Sequence, residues 1–255
     1  MSPRYGLILL LLLLSGCTEF NGAKAYLLPP SALGMEELAP RVFVNKEMSL
    51  AQREDFRQVV AVARTNITNF YGSITSQPDI LACSTEECFA GIGGGKPRGK
   101  DLGKSKVLIS PRGLTVPILT HEWSHAELRT RMDAKFDGIF GMNSIPTWFD
   151  EGLAVVVSEE PRHSEKVWER IVAQKMDTPR LDDLVTLKGW NKAAGKYGDV
   201  DCALGVPGKM YVVYTLAGHE VRTWHRKAGR EGLLKLIDKV KSGESFENSY
   251  AATSK

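Results

Sequence analysis

Residues 116–132 read VPILTHEWSHAELRTRM, and the spacing inside this stretch governs how the rest of the chain is read. Pro117 suits the first turn of a helix, where a missing N–H is no loss. Ile118, Leu128 and Met132 recur at helical intervals. A helix over 116–132 is expected. On it His121 and His125 are four apart, so their side chains stand one above the other on one face. They share the apolar stripe, which turns both rings inward. Glu122 projects along the neighbouring side.

Two inward imidazoles one turn apart either satisfy each other in a core or hold a metal ion. Neutral His nitrogens bind zinc at about 2.0 Å, and a catalytic zinc usually takes three protein donors and leaves a fourth position to water. Water on zinc has a pKa near 7, so a carboxylate placed like Glu122 can take its proton. The third donor is sought in Pro146-Thr147-Trp148-Phe149-Asp150-Glu151-Gly152-Leu153-Ala154, on a second expected helix over 145–158. Glu151 falls 26 residues after His125. The loop 133–144 allows the second helix to turn back over the first. Glu151 is either a surface helix residue or a carboxylate on the buried side of an apolar helix. Its neighbours Trp148, Phe149, Leu153 and Ala154 favour the second, and a buried carboxylate needs a partner. The expected site is therefore one Zn2+ held by His121, His125 and Glu151, with Glu122 as the catalytic base.

HExxH followed by W-F-x-E-G-x-A resembles the gluzincin metallopeptidases, in particular small bacterial peptidases with a thermolysin-like or aminopeptidase-like core. The similarity covers 107–154 well. It is looser later, in Tyr211 or Tyr214, in Gly-x-x-x-Leu-Leu at 229–234 and in Gly-x-Ser-Phe-Glu at 243–247. The resemblance implies hydrolysis of a peptide bond in a peptide or protein substrate. It also implies a sheet-edge strand before the HExxH helix that pairs with substrate backbone, a place that 106–110 takes here. Two departures stand out. Thermolysin-like enzymes carry an Asp one turn after the third donor, which orients a metal-binding His. Here Val155 stands there, so the acceptor must come from elsewhere, such as a backbone carbonyl. The family's oxyanion-stabilising Tyr or His is not marked by a sharp motif. Tyr211 is the first candidate, then Tyr214, with His219 and His225 behind them; packing in a core is the other role for the two tyrosines.

Upstream, 41–44, 80–83 and 106–110 read as short strands. Ser49 is a candidate N-cap for a helix running to Phe70, with Phe56, Val59, Val60, Ala63, Ile67 and Phe70 at helical spacing and Gly72 closing it. Residues 91–103, rich in Gly and Lys, read as a mobile loop. Downstream, helices are expected over 167–175, 209–227 and 231–241. Strands early and helices late predict an α+β fold, with a small N-terminal sheet packed on a helical half; the resemblance implies its edge strand and a zincin-like catalytic core.

The N-terminus reads as a leader. Arg4 supplies positive charge, and 7–14 is an apolar run too short to span a bilayer. Leu14-Ser15-Gly16-Cys17 resembles the lipobox of bacterial lipoproteins, which implies lipidation at Cys17. Thr18 in place of Asp then implies the outer membrane, facing the periplasm. The division expected is 1–17 signal peptide, 18–39 tether, and 40–255 catalytic domain. Export places Cys83, Cys88 and Cys202 in an oxidising compartment. Cys83 and Cys88 could close a small loop, and pairings through Cys202 stay open. A net charge of +3 over 255 residues, with no long Lys or Arg run, argues against nucleic acid. Two other functions fit the same residues: a non-enzymatic envelope lipoprotein stapled by zinc, with an assembly or chaperone role, and a zinc amide hydrolase acting on cell-wall peptides.

Overall fold

A computed structural model describes residues 24–133, 144–197 and 212–253. The leader with Cys17, Cys202 and Tyr211 lie outside the described residues, as does most of the loop expected over 133–144.

The fold is mixed α+β. Five strands, β1 (Met35–Ala39), β2 (Val42–Asn45), β3 (Asp79–Ala82), β4 (Gly99–Leu102) and β5 (Lys106–Ile109), form one sheet in the order β1-β2-β3-β5-β4. The three central strands are parallel, and β1 and β4 run antiparallel at the two edges. The sheet is covered on both faces, which is why β5 reads as an unbroken apolar run rather than an alternation. Ile80, Ala82, Val107 and Ile109 face one core. There they meet Phe56, Val60, Ala63 and Ile67 of α1 (Leu50–Tyr71) and Ile118, Leu119 and Trp123 of α3 (Val116–Arg131). Leu81 and Leu108 face a second, smaller core with Ala25, Met35 and Phe89, the last from α2 (Glu86–Gly91).

Helix α1 starts in a capping box: Ser49 Oγ accepts from the Gln52 N–H, and Gln52 Oε1 accepts from the Ser49 N–H. It ends at Gly72 in the left-handed region, φ 83°. The helical half comprises α4 (Thr147–Ser158), α5 (Glu165–Ala173), α6 (Leu187–Tyr197), α7 (Val212–Lys241) and α8 (Phe246–Thr253). Gly229, at φ 62°, breaks α7 into two helices, close to the division expected between 227 and 231. Trp148 and Phe149 of α4, Trp224 of α7, and Phe246 and Tyr250 of α8 interlock mostly edge to face, which locks the three helices together.

Three expectations are corrected. The tether does not extend to residue 39: Met35–Ala39 is a sheet strand, Ala25 is buried, and the Lys106 ammonium donates to the carbonyls of Ala25, Tyr26 and Leu28. The alternation in Met-Glu-Glu-Leu-Ala was too short to read as a strand. Residues 91–103 are not one mobile loop, because β4 lies within them. The edge strand is accordingly β4, not 106–110, which is internal between β3 and β4. Cys83 and Cys88 form a disulfide, Cα to Cα 5.6 Å, from the end of β3 to α2.

Candidate metal centre

Helix α3 crosses the sheet beside β4, and α4 packs back across α3. Helix geometry brings His121 and His125 into register, and α4 delivers Glu151 opposite them. The three donor atoms form a near-equilateral triangle. His121 Nε2 lies 3.3 Å from His125 Nε2 and 3.4 Å from Glu151 Oε2, and His125 Nε2 lies 3.6 Å from Glu151 Oε2. Three donors each about 2.0–2.1 Å from one ion in a tetrahedral shell are separated by about 3.3–3.4 Å. The triangle therefore has the size of the donor set of one metal ion. Two imidazoles and one carboxylate suit a borderline cation such as Zn2+. A second convergence of Asp101, Glu122 and His125 shares His125 with the first, and its Asp101 is paired with Arg129.

The orienting acceptor that was missing from position 155 is Asp150. Its Oδ1 lies 2.7 Å from His125 Nδ1, both side chains being buried. It is a carboxylate, not a backbone carbonyl, and it precedes Glu151 instead of following it by one turn. Val155 has a different task. It packs on Gly218 of α7, where a Cβ would lie 2.5 Å from Val155 Cγ1. Gly152 makes a similar close approach, since a Cβ there would lie 2.4 Å from the Ala217 carbonyl oxygen. These two glycines let α4 and α7 pack closely enough to bring Tyr214 near the histidines.

Burial alone would raise the carboxyl groups of Glu151 and Asp150. The hydrogen bonds from His121 and His125 overcome this at Glu151 and hold it well below the usual range. The charges of His125 and Arg129 do the same at Asp150. At Glu122 burial wins: it pushes the carboxyl up to about 7, only partly offset by His121 and His125. A carboxylate beside the three donors is placed both to accept and to return a proton. Its position is set from below by Gly99 on β4, where a Cβ would lie 2.5 Å from Glu122 Cγ.

Tyr214 is the described tyrosine at the site. Its ring centre is 6.3 Å from that of His121, and it is wedged between a stacked His163 at 5.3 Å and Trp190 at 4.9 Å. The other two candidates are engaged elsewhere: His219 bonds Glu165 and stacks on Trp168, and His225 stacks on Phe70. Asp150, Arg129, Asp101 and Gly99 were missed in the sequence. Only Asp150 carried a signal, as a second acidic residue in an otherwise apolar helix. Compared with known proteins, the chain matches no family model, no curated protein and no solved structure.

Proposed function

We propose that the protein is a zinc-dependent peptide-bond hydrolase of the gluzincin kind, with a zincin-like core. The observation that supports this most is the triangle of His121, His125 and Glu151 donor atoms with Glu122 beside it. Zn2+, when bound, polarises the scissile carbonyl and acidifies a water molecule. His121, His125 and Glu151 would hold it, with Asp150 fixing the His125 tautomer. Glu122 accepts a proton as the water oxygen bonds to the carbonyl carbon. It returns that proton to the amide nitrogen as the C–N bond breaks, so acid and base are one residue in succession. Tyr214 is the described residue suited to donate to the developing oxyanion, and Tyr211, outside the described residues, remains a candidate. The outer edge of β4, a strand paired on one side only among the described residues, is suited to take a substrate backbone by strand addition.

A zinc staple with an assembly role would have no use for a carboxylate at position 122 beside three converging donors, so chemistry is the better account. Glu122→Gln tests it. The variant is expected to keep about one zinc per chain by elemental analysis and to lose on the order of 10²–10⁴-fold in cleavage of internally quenched peptides. Unchanged turnover sinks the reading. Parallel assays on purified wall peptides separate protein substrates from cell-wall ones. The leader and Cys17 add the proposal that the enzyme is exported and lipid-anchored in the bacterial envelope. Cys17→Ser is expected to move it from the membrane to the soluble fraction.

A further inference from the structure

The buried guanidinium of Arg129 is not used by the chemistry above, yet it touches both sides of the site. It lies one turn past His125 on α3, with a side chain only 6% exposed. Its Nη1 is 2.7 Å from Asp101 Oδ2 on β4, and its Nη2 is 3.5 Å from Asp150 Oδ2 on α4. The other oxygen of Asp150 holds His125 Nδ1 at 2.7 Å. Asp101 and Gly99 are two apart on β4 and so share a face of the strand. Glu122 and Arg129 are seven apart on α3 and so share a stripe of the helix. The strand thus meets the helix at two matched points, Gly99 against Glu122 and Asp101 against Arg129.

We propose that Arg129 is a positioning residue that couples the edge strand to the metal-ligand shell. One guanidinium sets how far β4 stands from Glu122 and, through Asp150, how the His125 ring is held. Resting on the reading of the site as a zinc peptidase, this predicts that substrate binding along β4 and metal affinity share a determinant that is itself no metal ligand. The guanidinium and Asp150 are both largely buried, so removing Arg129 leaves that carboxylate without its cationic partner in a poorly solvated place.

Three variants separate the arms: Arg129→Met, Asp101→Asn and Asp150→Asn. Zinc affinity is read by competition with a chromophoric chelator, and strand attachment by hydrogen exchange of the β4 amides against those of β3. Arg129→Met is expected to weaken zinc binding about 10-fold or more, the usual size for an outer-shell partner, and to speed β4 exchange at least about 10-fold with β3 unchanged. Asp101→Asn should speed β4 exchange and leave zinc affinity within about twofold. Asp150→Asn should do the reverse. Arg129→Lys, which can reach only one carboxylate at a time, should restore part of one arm. If Arg129→Met does not fold, the two carboxylate variants carry the test. The proposal is overturned if Arg129→Met leaves both readouts unchanged. It is also overturned if β3 and β4 exchange rise together, or if the two carboxylate variants shift both readouts alike. Wild-type protein that takes up no zinc would overturn the zinc reading and the metal arm. The β4 exchange would still decide the strand arm.

Discussion

His125 Nδ1 and Asp150 Oδ1 stand 2.7 Å apart, so the residue that orients one donor is the chain neighbour of another, Glu151. A single turn of α4 therefore contributes to the site twice. Removing the charge of Asp150 while keeping its shape weakens its hold on the His125 N–H. Asp150→Asn is expected to bind zinc about 10–100-fold more weakly, measured by chelator competition at pH 7.5. Affinity within twofold of wild type would show that the contact does not tune the ligand.

Gly99 is a packing prediction about chemistry. Any side chain there meets Glu122 at 2.5 Å, well inside contact distance. Gly99→Ala must displace the Glu122 carboxylate or push β4 away. Misplacing a catalytic group by about 1 Å can cost about 10²-fold, so kcat is expected to fall by about 10-fold or more with zinc content unchanged. A variant with wild-type kcat would mean that Glu122 has room to spare.

Glu127 anchors the far end of the same helix. It is fully buried and accepts from Thr75 and Ser76, each through backbone N–H and side-chain hydroxyl, while Arg131 donates at 2.7 Å. Glu127→Ala strands all of these donors. The expected loss is about 3 kcal/mol or more, or a Tm lower by about 6–12 °C for a chain of this size. A Tm within about 2–3 °C of wild type would sink this account.

His163 sets a pH dependence. Burial holds its imidazole well below the ordinary pKa, helped by Arg162, His121 and Arg222 and opposed by Glu151. The unfolded chain takes up this proton near pH 6.5, the folded protein only at lower pH. As pH falls below about 6.5 the unfolded state thus binds more protons, and stability drops by up to about 1.36 kcal/mol per pH unit until the folded-state pKa is reached. Above about pH 7 the group contributes no slope. Urea unfolding at pH 7.5 and 5.5 should show wild type losing about 1 kcal/mol more than His163→Asn. Equal losses would mean that His163 titrates normally.

Local spacing carried much of this site. The i, i+4 pair at His121 and His125 converges because any α-helix puts those positions on one face, whatever surrounds it. Ser49 and Gly72 bound α1 for similarly local reasons. Glu151 was legible as a charge misplaced in an apolar helix, and Cys83 and Cys88 are close enough in sequence to pair. Contacts between distant segments were not legible. Nothing in Gly-Lys-Asp-Leu says that these four residues form the sheet edge, because an edge strand is defined by the neighbour it lacks. Arg129 and Asp101 look like ordinary charges until α3 and β4 are packed together. The stretch 24–39 reads as a tether until Lys106, some eighty residues on, meets its carbonyls. Helical periodicity is a property of a few consecutive residues and can be read in order. Pairing across a sheet, and the charge left over when two helices close on each other, exist only once the chain has folded.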